Sequence, residues 1–144
     1  GSLRDVDLSI LEACSTQLTA IQMKRCAYVI QENNRVQKAV AALEKGKLED
    51  FGKLMYASHQ GLSEEYEVSC KELDFLVDFS KAHKSVLGCR MMGGGFGGCT
   101  INIIHKDAIT SYVDEVGKAY QQAFNINLDY FEALPSEGTH ILKN

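Results

Sequence analysis

The sequence predicts an α+β fold, a two-layer sandwich with a largely antiparallel sheet and extra helices at the N-terminal end. Three observations lead there. Apolar residues in the first half recur at helical three/four spacing. From Cys70 onward the segments run helix, strand, strand, helix, strand, strand, and this segregation suits an antiparallel sheet covered by helices. The length of 144 residues suits one domain with a real core.

The elements follow in order. A short helix is expected over Leu8 to Leu18. Cys26, Val29, Asn33, Val36, Val40 and Leu43 form the stripe of a second helix that stops at Gly46. Asn33 lies on that stripe, where a polar group must find a partner or cost stability, and a neighbouring backbone group is the expected one. Leu48, Phe51, Leu54, Met55, Ser58 and Leu62 mark a third helix. Ser69-Cys70-Lys71-Glu72 reads as a capping box opening a helix to Ala82, with Leu73, Leu76, Val77 and Ser80 inward. Capping and a solvated face account for the acids Glu72 and Asp74 without acid/base chemistry.

Val86 to Met91 and the β-branched run Cys99 to Ile104 read as strands. Asp107 is placed to cap another helix, whose stripe is Ile109, Tyr112, Val113, Val116, Ala119, Tyr120 and Ala123. Leu128 to Ala133 alternates like a strand, Pro135 to Gly138 turns, and Thr139 to Leu142 returns as a final strand. No repeat, linker or low-complexity segment interrupts the chain.

Between the two central strands lies Met91-Met92-Gly93-Gly94-Gly95-Phe96-Gly97-Gly98-Cys99, with five glycines around one aromatic. Glycine loses the most backbone entropy on folding, so such a run needs a reason. The usual one is close approach of the backbone, often to a phosphate, because successive N–H groups can converge on an anion. Gly93-x-Gly95-x-x-Gly98 matches the dinucleotide fingerprint in form, but that fingerprint requires a helix after the loop, and a strand follows here. No Gly-Lys-Ser/Thr follows, so it is not a P-loop. The other protein-kinase signatures are missing as well. A flexible hairpin without a ligand is the plain alternative.

Composition narrows the classes. Apolar residues at 45% and charged residues at 24% are ordinary for a soluble domain. A net charge of −4 with scattered basic residues argues against a nucleic-acid partner. No segment has membrane-spanning length, no membrane partner is expected, and no signal peptide is evident. Gly1-Ser2 reads as the remnant of a removed tag, leaving 3–144 as the domain. Five cysteines without a paired motif fit a reducing, cytoplasmic setting. Cys89 and Cys99 are expected in the core. The four histidines lack metal-ligand spacing and read as structural or surface groups, so no metal site is assigned.

Several segments, taken together, resemble the galactokinase branch of the GHMP kinase family. Met91 to Thr100 resembles that family's last motif, and Phe96 favours the galactokinase version of the loop. Leu3-Arg4-Asp5-Val6, Phe51-Gly52-Lys53-Leu54-Met55, Ser58-His59, Glu65 to Asp74 and Glu137-Gly138-Thr139 resemble further family segments in the same order. The resemblance implies the ferredoxin-like C-terminal domain of these kinases. It implies a parent that uses ATP and Mg2+ to convert galactose to galactose 1-phosphate. The family's sugar-binding motif, main phosphate loop and catalytic aspartate and arginine do not occur here. The chain is therefore expected to be a C-terminal part whose partner is its own N-terminal domain.

No residue is assigned as catalytic. Gly93, Gly94, Gly95, Phe96, Gly97 and Gly98 are expected to form a loop beside phosphate and sugar, one wall of a cleft. The isolated chain is expected to be inactive and to hold no cofactor tightly. A bulky side chain at Gly95 is expected to block the cleft while leaving the fold intact. A galactokinase-like sugar sensor, an N-acetylgalactosamine kinase and a stand-alone α+β binding module are the alternatives.

Overall fold

The computed structural model describes residues 1–135 and 141. In chain order it contains α1 (Leu8–Ala13), α2 (Ala20–Glu44), α3 (Leu48–Glu64), α4 (Lys71–Ala82), β1 (Val86–Met92), β2 (Cys99–Ile104) and α5 (Ile109–Phe124). Short 3-10 turns span Leu3–Asp5, Ser15–Gln17 and Lys106–Ala108. The expected first helix thus ends at Ala13 and continues only as a 3-10 turn.

α2 opens with a capping box. The Thr19 hydroxyl oxygen accepts from the Gln22 N–H at 3.3 Å, and Gln22 Oε1 accepts from the Thr19 N–H at 2.9 Å. Two orphan donors are satisfied reciprocally. Thr19→Ala is expected to lower stability by about 1 kcal/mol, read as a lower urea midpoint at unchanged slope. Gly46, at φ +65°, lies just past the helix end, where the stop was expected. Asn33 Nδ2 donates to the Leu3 carbonyl at 3.4 Å, so the backbone partner exists but lies thirty residues back. The stripe itself is not the core face, since none of its six residues is fully buried. Tyr28, Ile30 and Ala42 are the buried residues of α2, whereas Val36, Val40 and Leu43 are about half exposed. Helical spacing identifies a face but not whether another element covers it.

α3 and α4 pack against β1, while α2 backs onto α3 and α5 onto α4. β1 pairs with β2 as an antiparallel two-stranded sheet running from Val86↔Ile104 to Met92↔Cys99. An irregularity between Val86 and Gly88 gives β1 one extra residue, Leu87. Gly52 of α3 sits against this bulge. A Cβ on Gly52 would lie 1.9 Å from the Leu87 carbonyl oxygen, and one on Gly88 would lie 2.5 Å from Gly52 Cα. The two glycines let helix and strand backbones approach where no side chain fits.

Leu76, Val86, Tyr112, Val116 and Tyr120 form a buried cluster between α4, α5 and the start of the hairpin. Phe75 and Phe124 meet edge to face at 5.3 Å beside it. The fully buried Ser80 hydroxyl is satisfied within this layer, 2.6 Å from Tyr112 Oη and 2.7 Å from the Leu76 carbonyl. α5 ends at Asn125, whose left-handed backbone (φ 57°) terminates the helix as a Gly or Asn does.

The α+β class and the central hairpin agree with expectation; four local expectations do not. Leu128 to Ala133 forms no strand, because β1 and β2 pair only with each other among the described residues. Leu128 instead packs on the aromatic cluster, while Tyr130 and Phe131 are exposed. The turn and last strand expected over 135–142 lie outside the described residues, apart from Pro135 and Ile141. Ser69 does not cap α4: Cys70 is the N-cap, and the Ser69 hydroxyl donates to Asp74 instead. Asp107 does not cap α5 because it lies inside the 3-10 turn, which makes Ala108 the N-cap. Cys89 is fully buried as expected, but Cys99, at the loop end of the hairpin, is exposed.

Candidate functional site

The glycine loop joins β1 to β2, and its backbone is largely left-handed. Gly93, Gly95, Gly97 and Gly98 have φ of +89°, +87°, +134° and +103°, and Phe96 has φ +61°. A non-glycine residue in that region is uncommon and marks a position held there by its surroundings. The Phe96 N–H donates to the Val68 carbonyl at 2.7 Å.

Gly95 lies flat against the same residue, and a Cβ there would sit 2.1 Å from the Val68 carbonyl oxygen. Its glycine requirement therefore comes from its own chain, not from an open cleft. This overturns the expectation that a bulky residue at Gly95 leaves the fold intact. Gly93, Gly94 and Gly97, by contrast, have nothing within 4 Å of an added Cβ. One side of the loop is thus anchored and the other open, with the Phe96 side chain 77% exposed.

The anchor is itself braced. Glu67, just before Val68, also has a left-handed backbone (φ 61°), and its carboxylate lies 3.4 Å from Lys24 Nζ and 3.5 Å from Arg25 Nη2. On the other side of Val68, the Ser69 hydroxyl donates to Asp74 Oδ1 at 2.6 Å. Ser63 donates to Asp74 Oδ2 at 3.1 Å. His59, on α3 and 5% exposed, links this carboxylate to the hairpin. Its Nε2 is 3.0 Å from Asp74 Oδ1, and its Nδ1 is 3.1 Å from the Met91 backbone nitrogen. A backbone N–H can only donate, so Nδ1 must carry a lone pair and Nε2 the proton.

Below the loop, the Glu32 carboxylate gathers Arg35, the Ser58 hydroxyl at 2.5 Å and Arg90 Nη1 at 3.5 Å. Arg90 Nε also donates to the Met91 carbonyl at 3.0 Å. The strand leading into the loop is therefore held on both its N–H and C=O sides at Met91.

Burial lowers the His59 pKa below the ordinary 6.5, with neighbouring Asp74 opposing the shift. A depressed imidazole pKa means the unfolded chain takes up its proton first as pH falls. His59 therefore contributes full stability above about pH 6.5 and loses it as pH falls through the folded-state value. Urea midpoints at about pH 7.5 and 5.5 are expected to differ more in the native chain than in His59→Asn.

The sequence puts the loop between two strands, where the structure has it, but gives no local sign of what supports it. Val68, Ser69, His59 and Asp74 were assigned to no site, and the last two to structural or surface roles. The only signal for them was that they stand in segments resembling one family. Among the described residues, no three His, Cys, Asp or Glu side chains converge on a position for a metal ion.

Residues 39–122 match the family described as GHMP kinases C terminal. A galactokinase of Thermotoga neapolitana is 43% identical over 122 residues, 85% of this chain and 35% of that protein. The Thermotoga maritima galactokinase is 42% identical over 137 residues, 95% of this chain and 38% of that one. That of Clostridium beijerinckii is 39% identical over 139 residues, 96% and 35% respectively. The crystal structure of Lactococcus lactis galactokinase complexed with galactose superposes with a TM-score of 0.82 at 34% identity, over 88% of this chain and 33% of that one. The chain thus spans between 33% and 38% of each of these relatives. With the family model covering more than half of its residues and the fold matching, the chain belongs to the GHMP kinase C-terminal family.

Proposed function

We propose that the chain is the C-terminal part of a galactokinase, an enzyme that transfers the γ-phosphoryl group of Mg-ATP to the anomeric hydroxyl of galactose. The observation that carries this reading is the loop: a left-handed backbone anchored on Val68, with Gly93, Gly94 and Gly97 bare on the open side. A bare backbone there can come within hydrogen-bond reach of a phosphate or sugar oxygen. Such transfers depend on positioning and charge stabilisation more than on covalent help from the protein. Gly93, Gly94, Gly95, Phe96, Gly97 and Gly98 supply position. Acid/base and main phosphate-binding groups come from the rest of the enzyme, which is the natural partner of this chain. Mg2+ enters with ATP.

The half-exposed Val36, Val40 and Leu43 on α2 fit a surface that the rest of the enzyme covers. A cytoplasmic setting fits five free cysteines, and no described helix is long and apolar enough to cross a membrane. The test is ATP-dependent phosphorylation of galactose by the full-length protein and by this chain side by side. Turnover by the full-length protein alone is expected. A folded full-length protein that turns over no galactose overturns the reading.

A further inference from the structure

We propose that His59 is a positioning residue for the glycine loop, acting as a neutral imidazole whose Nδ1 holds the Met91 N–H while its Nε2–H is held by Asp74. The consequence for catalysis rests on the galactokinase reading; the positioning itself does not.

The geometry ties two separate points of the loop to one side chain. Met91 is the last buried residue of β1, two positions before Gly93. Its N–H ends on His59 Nδ1 at 3.1 Å. The second point is Val68, whose carbonyl holds Phe96 and against which Gly95 packs. Val68 is held by its own N–H on the Leu62 carbonyl at 2.9 Å and, beside it, through its neighbour Ser69, whose hydroxyl shares Asp74 Oδ1 with His59. Entry and apex of the loop therefore converge on a single carboxylate–imidazole pair. His59 is buried and both of its ring nitrogens are engaged by Met91 and Asp74, so it acts through Met91 rather than on a substrate.

The protonation state decides whether the device works. A second proton, on Nδ1, would point at the Met91 N–H and break that bond. The charged groups acting on the ring are Asp74 and Asp78 on α4 and Arg90 on β1, and Tyr56, Glu64 and Lys81 line the same pocket as His59. The acids favour a second proton and burial with Arg90 opposes it, leaving the pKa lowered on balance. The loop is thus held at neutral pH and released on acidification.

Two substitutions separate the two ends of the ring. In His59→Asn the amide oxygen can take the place of Nδ1 and accept from Met91, but it cannot reach Asp74. In His59→Gln the amide can reach Asp74 but leaves no acceptor at the Nδ1 position. In the full-length enzyme, His59→Gln is expected to raise the KM for ATP and lower kcat/KM about tenfold, the scale of a lost bond to a buried backbone donor. His59→Asn is expected to restore most of that loss and to remove the acid limb that His59 contributes to the pH profile. Equal losses in both variants, or losses that follow only the folded fraction with KM unchanged, overturn the proposal.

A second readout does not depend on the reaction. Amide hydrogen exchange in this chain at Met91 and Gly93–Gly98 is expected to be faster in His59→Gln than in His59→Asn. Nitrogen chemical shifts of the native ring are expected to show the Nε2–H tautomer. Indistinguishable exchange in the two variants, or an Nδ1–H tautomer, overturns the positioning even if galactose turnover is confirmed. The expected exchange pattern in a full-length protein without turnover overturns the kinase reading alone.

Discussion

Gly52→Ala is expected to destabilise the chain by about 3 kcal/mol, although it replaces a poor helix former with the best one. In an exposed helix the change would stabilise by about 1 kcal/mol. Here the added methyl would meet the Leu87 carbonyl oxygen at 1.9 Å, its carbon at 2.5 Å and the Gly88 nitrogen at 3.1 Å. All three are backbone atoms, so no side chain can rotate away, and α3 must lift off β1. The lift would also disturb Met55, which is buried and whose sulfur lies within 3.0 Å of where a Gly88 Cβ would sit. Gly117 on α5 is the control, since nothing lies within 4 Å of its added Cβ. Gly117→Ala is expected to raise the urea midpoint, and Gly52→Ala to lower it, both at unchanged slope. A raised midpoint for Gly52→Ala would show that helix and strand are not in backbone contact.

What the sequence made legible follows the range of the physics involved. The hairpin strands are announced locally, by apolar and β-branched runs on either side of a glycine loop, and the structure has them at Val86–Met92 and Cys99–Ile104. The helices are announced by periodicity, which holds within one segment. The failures all depend on partners elsewhere. Leu128 to Ala133 alternates like a strand, but alternation supplies no neighbouring edge to pair with. Ser69 stands three residues before Glu72, the local signature of a cap, yet Asp74 lies within reach and takes its hydroxyl. Val36 and Val40 recur at helical spacing, yet α2 buries Tyr28, Ile30 and Ala42, which lie at other angles around the helix.

The site divides in the same way. The loop was visible as glycine content. Its anchor on Val68 and its tie to His59 join residues twenty-eight and thirty-two positions apart and leave no pattern in either segment. Gly52 and Gly61 carried a weak signal, because glycine inside a helix costs stability unless something needs the space. That something is the β1 backbone for Gly52 and the Tyr28 ring, 2.5 Å from an added Cβ, for Gly61.

The second large effect concerns function, and it needs two substitutions because the two faces of the loop differ. Gly95→Ala places a Cβ 2.1 Å from the Val68 carbonyl at a φ of +87°, so it strains the backbone and breaks the anchor. It is expected to cost about 2 kcal/mol of stability and to lower turnover of the full-length enzyme by letting the loop drift. That loss alone does not show which way the loop faces. Gly94→Val does. Gly94 has no left-handed φ, and its Cβ would enter open space, so stability is expected to change by no more than about 0.5 kcal/mol. If the open side receives phosphate and sugar, the valine methyl groups occupy their place. Turnover is then expected to fall about a hundredfold, the scale of a displaced reacting group. Near-native turnover in folded Gly94→Val, with Gly95→Ala impaired, would mean that the loop serves the domain's own packing and that substrate lies elsewhere. The reverse pattern, a stable Gly94→Val with little activity, ties the bare side of the loop to the chemistry.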